Sequence, residues 1–99
     1  MAIAVQIEFR DTNLDTYDQI TETIGRLPGA PAAPQELFHF VIPTEDGFRV
    51  IDVWESEEAF ERYLHETLEP AFAEVGIVTP PVVEIFSVHN YSVGARWRA

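Results

Sequence analysis

The 99-residue chain is long enough for one hydrophobic core and too short for two. Hydrophobic residues at 46% and aromatics at 12% exclude a disordered chain despite a net charge of −11, and seventeen acidic residues against six arginines would repel a phosphate backbone, so no nucleic-acid partner is expected. The absence of cysteine excludes disulfides and thiolate metal sites. No apolar run approaches the roughly 18 residues of a membrane span, and without an export-signal pattern the expected setting is cytoplasmic, with no membrane partner.

Residues 3–9 alternate strictly, Ile3, Val5, Ile7 and Phe9 against Ala4, Gln6 and Glu8, which predicts a first strand. Thr12 or Asn13 can cap a first helix carrying Leu14, Tyr17, Ile20 and Ile24 on one stripe and stopping at Gly25. Glycines and prolines then predict a surface loop from Gly25 to Pro34. Leu37–Ile42 and Phe48–Trp54 flank Pro43-Thr44-Glu45-Asp46-Gly47, the chemistry of a hairpin turn. Ser56 caps a second helix with Phe60, Tyr63, Leu64 and Leu68 on one face, which Pro70 should interrupt before a last helical stretch ends at Gly76. Val82–Val88 alternates again as a fourth strand, and residues 91–99 read as a tail after a single domain over 1–90.

The order βαββαβ predicts an α+β, ferredoxin-like fold, a four-stranded antiparallel sheet with two helices on one face. If Pro43 faces Phe48 across the hairpin, His39 falls opposite Asp52 and Leu37 opposite Trp54. One set of side chains, Ile3, Val5, Ile7, Phe9, Phe38, Phe40, Ile42, Ile51, Val53, Val83 and Ile85, is almost wholly apolar and is expected under the helices. The opposite set, Ala4, Gln6, Glu8, Leu37, His39, Val41, Val50, Asp52, Trp54, Val82, Glu84, Phe86 and Val88, is too apolar for water and too charged for dry burial. A homodimer that closes this open face around a partly polar small-molecule cavity reconciles the two.

The run Val-Ile-Asp-Val-Trp (50–54), the Glu-Ser-Glu-Glu-Ala-Phe after it (55–60), and Pro-x-Phe-x-x-Val-Gly (70–76) resemble the dimeric α/β-barrel superfamily, specifically antibiotic-biosynthesis-monooxygenase-like proteins. The resemblance spans residues 1–90. It implies dimers packed by their sheet faces and, in some members, oxidation of aromatic polyketides by molecular oxygen without metal or flavin, hence no cofactor here. The departures are also specific. Quinone-forming members should carry an amide four residues before the Trp and a Tyr six after it, where this chain has Val50 and Phe60. Haem-degrading members should carry an Asn on the first strand and a His on the second helix, for which Gln6 and His65 are the nearest residues.

On the expected open face, a carboxylate at Asp52 can orient His39 and raise its basicity, as a general base requires. A satisfied polar pair at an interface is the competing explanation. Trp54 and Phe86 could stack on a planar ligand, Gln6 could contact it, and Glu8 with Glu84 could share a proton beside it unless arginines neutralise them. A metal set of His39, Asp52, Glu8 and Glu84 lacks a second inward histidine, so no metal is expected. His65 and His89 read as structural. The expected activity is that of a cofactor-independent monooxygenase on an aromatic or enolisable substrate, with His39 as base, Asp52 orienting it, and Trp54 and Phe86 as walls. The alternative is a non-catalytic small-molecule-binding or stress-associated dimer.

Overall fold

In the computed structural model, residues 1–26 and 33–94 are described. Most of the expected loop between Gly25 and Pro34, and the end of the tail with Arg96, Trp97 and Arg98, therefore lie outside the described residues. Strand β1 (Ile3–Arg10) buries Ile3, Val5, Ile7 and Phe9 on one side, as its alternation requires. Asn13, rather than Thr12, caps α1 (Leu14–Thr23), its Oδ1 accepting the N–H groups of Asp15 and Thr16 at 3.0 and 3.3 Å. The hairpin follows as β2 (Glu36–Pro43) and β3 (Gly47–Trp54). Ser56 caps α2 (Glu57–Tyr63), as expected from its place before two acids.

Pro70 does not break the second helix. A π-helical turn over Leu64–Leu68 carries the chain into α3 (Glu69–Val75), the Glu69 N–H donating to the carbonyl of Leu64, five residues back. A proline lacks the N–H of its turn and crowds the carbonyl four residues earlier; the wider turn just before Pro70 relieves both problems. Gly76, at φ 84°, ends α3 in the left-handed conformation. Strand β4 (Val82–Ser87) closes the described architecture.

The antiparallel sheet has strand order β2-β3-β1-β4, the ferredoxin-like arrangement, with the helices on one face. Hairpin pairing is as expected at Pro43–Phe48 and His39–Asp52, and differs at the far end, where a bulge between Glu36 and Phe38 sets Glu36 opposite Trp54 in place of Leu37.

The face of the hairpin is the reverse of the sequence expectation. Val5 lies opposite Asp52, Ile3 opposite Trp54 and Ile7 opposite Val50, and direct cross-strand partners share a face. His39, Val41, Val50, Asp52 and Trp54 are thus beneath the helices, and Phe38, Phe40, Ile42, Ile51 and Val53 share the open face with Ala4, Gln6 and Glu8. The physical reason is the long-range β1–β3 register: a one-residue slip exchanges every side chain between faces. The observed choice seats Trp54 and Phe48 in the core, at 2% and 0% exposure. Phe48 stacks on Phe9 with ring centroids 4.5 Å apart, and Phe60 meets Trp54 edge-on at 5.9 Å. Strand β4 faces as expected, Ile85 opposite Val5 and Phe86 opposite Ala4, yet all six of its residues are exposed, because among the described residues no helix packs extensively on it. Among the described residues no helix is long and apolar enough to cross a membrane.

Candidate functional site

Between the sheet and the helices lies a cavity of about 40 Å³, with Ile7, Phe9, Phe48 and Val50 as its sheet floor and Ile20, Leu68 and Phe72 as part of its helical roof. One wall is polar, built from Tyr17, Arg26, Glu36, His39, Asp52 and Tyr63. The hairpin register sets His39 and Asp52 side by side, and Nδ1 of the imidazole donates to Asp52 Oδ1 at 2.6 Å. On the other side of the ring, Nε2 lies 3.0 Å from the hydroxyl of Tyr17, delivered by α1. The bulge brings Glu36 to the same face, its Oε2 3.4 Å from Nδ1 of His39 and its Oε1 2.8 Å from Nη2 of Arg26. Trp54 is not a cavity wall. It stands behind Asp52, its indole N–H directed at Oδ2 over 3.4 Å and its ring 5.2 Å from that of Tyr63.

These groups set one another's charge. Burial works against the imidazolium of His39, but the hydrogen bond to Asp52 and the proximity of Glu36 outweigh it and push the pKa up to about 10. At neutral pH the ring therefore carries both protons, donating to Asp52 and to the Tyr17 oxygen, and has no lone pair for the base role expected of it. Burial raises Asp52 first, and the charge of Glu36 adds to this against the pull of His39, leaving its pKa at about 6. Burial also opposes ionisation of Glu36, but His39, Asp52 and Arg26 together hold it down at about 2.

Glu36, His39 and Asp52 are the described residues that could offer a metal three ligand atoms, all within 4.8 Å of one another. The donor set does not fit a divalent cation well. Its two carboxylates are already matched by two positive groups, Arg26 and His39, and an added ion would leave the buried cluster with excess positive charge.

Gln6, Glu8, Glu84 and Phe86 do not join this group. They lie on the other side of the sheet, with Gln6 opposite Glu84 and Ala4 opposite Phe86. Glu8 is held below the usual carboxylate range by the hydrogen bond from Arg10 at 2.6 Å, with Arg49 at 3.3 Å, so it does not retain a proton there. Of the two departures from the monooxygenase pattern, Val50 lines the cavity floor and Phe60 is core. His65 is exposed and pairs with Glu69 at 2.7 Å; His89 is exposed beyond the end of β4. Tyr17, Arg26, Glu36 and Tyr63 were not singled out from sequence. A tyrosine on a helix's apolar stripe is a usable signal, since its buried hydroxyl needs a partner, but nothing in the residue pattern announces the bulge that turns Glu36 inward.

No family model and no curated protein matches the chain. Solved structures do. Rv0793 from Mycobacterium tuberculosis superposes with a TM-score of 0.66 at 16% identity, over 94% of this chain and 100% of its own. A dimeric ferredoxin-like protein of unknown function from Thermobifida fusca gives 0.62 at 20% identity, over 89% and 92% of the two chains. SnoaB from Streptomyces nogalater, a cofactor-independent oxygenase, gives 0.59 at 14% identity, over 91% and 94%. The likeness to antibiotic-biosynthesis-monooxygenase-like proteins read from residues 50–60 and 70–76 thus holds for the fold.

Proposed function

We propose that the chain is a small-molecule enzyme working in the cavity between sheet and helices, and that it activates an enolisable or phenolic substrate for direct reaction with oxygen, without metal or flavin. The observation that carries this is the Tyr17–His39–Asp52 relay on the polar wall of an otherwise apolar cavity. Similarity of fold to a cofactor-independent oxygenase supports it.

In this reading the Tyr17 hydroxyl, accepting from the imidazolium, donates its own proton to the substrate carbonyl or phenol oxygen, and Asp52 is the base. A carboxylate with its pKa near 6 is ionised at neutral pH yet holds a proton better than an ordinary aspartate. It removes a proton from an activated methylene, and the enolate oxygen is stabilised by Tyr17 and, through it, by the charge of His39. The carbanion passes one electron to oxygen, the radical pair joins as a carbon–peroxide bond, and Asp52 returns its proton to the terminal oxygen. Loss of the second C–H proton, with cleavage of the O–O bond, expels water and leaves a carbonyl. One methylene and one O₂ give one carbonyl and one water.

The cavity's 40 Å³ argues for the rival, a non-catalytic binding protein. A cavity of about 150 Å³ is what holds a benzene ring, so an aromatic substrate must push side chains aside. Oxygen consumption with a panel of small 1,3-dicarbonyls, phenols and quinols decides between the two. Turnover that falls about 10²- to 10⁴-fold in Asp52→Asn supports the enzyme; no uptake across the panel overturns it.

We also propose that a second copy of the chain covers the open face. Phe40, Ile42, Val82 and Phe86 are 40–50% exposed on that side, a larger apolar surface than a lone protein usually leaves in water, and the Thermobifida fusca neighbour is dimeric.

A further inference from the structure

Glu36 is the most fully enclosed carboxylate of the site, its side chain only 1% exposed. Were β2 regular, Glu36 would share the open face with Phe38 and Phe40. The bulge reverses it and seats it opposite Trp54, beside His39. Its backbone is fixed by an N–H bond to the carbonyl of Ala33 at 2.9 Å. One carboxylate oxygen, Oε1, accepts from both Arg26, at 2.8 Å, and the Ala33 N–H, at 3.1 Å. That leaves Oε2, which points to the nitrogen of His39 that already serves Asp52.

We infer that Glu36 is a positioning residue: pinned by Arg26 and Ala33 through one oxygen, it turns the other to Nδ1 of His39 and holds the imidazole in its doubly protonated form. The inference rests on the function proposed above for its purpose, since a charged imidazole behind the Tyr17 hydroxyl is what that chemistry needs, but its test does not. The groups facing His39 are Tyr17 from α1, Glu36 from β2 and Asp52 from β3; Arg26 and Tyr63 stand around Glu36. Two carboxylates against one nitrogen are more than an orienting partner requires. The second supplies the charge that stabilises the proton, and Arg26 tempers that charge, so Glu36 and Arg26 act on His39 with opposite sign.

The experiment follows the His39 ring nitrogens by long-range proton–nitrogen NMR across a pH series, with His65 and His89 as internal references. Removing a charge at this distance in Glu36→Gln should lower the His39 midpoint by roughly one to three pH units. Arg26→Gln, at a more exposed position that the fold tolerates better, should raise it. Glu36→Asp, which keeps the charge on a shorter stem, should restore part of the loss. If a folded Glu36→Gln leaves the midpoint where it was, or Arg26→Gln lowers it, the inference is overturned. If the midpoints move as expected while the wild type consumes no oxygen, the proton placement stands and the enzymatic proposal falls.

Discussion

The proton on His39 couples the site to the stability of the whole fold. In the window between 6.5, the ordinary imidazole value, and about 10, the folded chain keeps a proton that the unfolded chain has released. Unfolding there sheds a proton, so stability falls as pH rises: the contribution is complete below 6.5 and gone above about 10. At about 1.4 kcal/mol per pH unit the whole window is worth at most about 5 kcal/mol. The imidazole's 20% exposure and the sharing of its charge between two carboxylates reduce this to about 2–3 kcal/mol. That is a large fraction of the roughly 5–15 kcal/mol that holds a domain together. The neighbouring acids do not confuse the window. Asp52 also costs stability as pH rises, but between 3.8 and about 6, and Glu36 loses its contribution only as pH falls from 4.5 towards about 2. Urea unfolding of the wild type and His39→Gln at one protein concentration, over a pH series, should show the wild-type advantage shrinking by that amount across the window. Parallel curves would refute the protonated, doubly paired histidine.

Two further outcomes test the architecture. A side chain on Gly47 would place its Cβ 1.9 Å from the carbonyl oxygen of Phe9, backbone against backbone. Gly47→Ala should therefore force the β1–β3 ladder apart and cost about 3 kcal/mol or more, read as a lower urea midpoint; an unchanged midpoint would mean the strands do not approach so closely. Phe86→Arg places a charge on the open face without touching the core, so it should shift light-scattering mass from two chains toward one while a monomer's unfolding midpoint stays put. A mass of one chain in the wild type would remove the reason for a covered face.

Much of the fold is legible in the residues because the informative interactions are local. The alternation of residues 3–9, the turn at 43–47, and the capping groups of Asn13 and Ser56 act within a few residues. The hairpin register follows in the same way, which is why His39 and Asp52 could be paired in advance. The side of the sheet they occupy could not, for the β1–β3 pairing joins residues some forty to fifty positions apart. Greasiness was also a misleading guide. In the hairpin, the residues Phe38, Phe40, Ile51 and Val53 are the more apolar, yet they lie outside, because their alternates bring Trp54 and Val50 to the core beside Ile3, Val5 and Ile7 and the charged ones among these neutralise one another. Expected ligand contacts at Gln6, Glu8, Glu84 and Phe86 went with that face, and the cavity lies under the helices instead.

Among the described residues, strand β4 is held to the sheet by β1 alone, and none of them pairs with its outer rim of amide and carbonyl groups. Such a rim is a template for any passing extended chain, and runaway stacking of that kind is how fibrils begin. Val82, Val83, Ile85 and Phe86 would make a ready seed; the carboxylate of Glu84 in their midst, repeated in every stacked copy, makes each addition repulsive. Pro80 and Pro81 deny hydrogen bonds at the strand's entrance. Three residues so guard the flank of the molecule that its own helices leave bare.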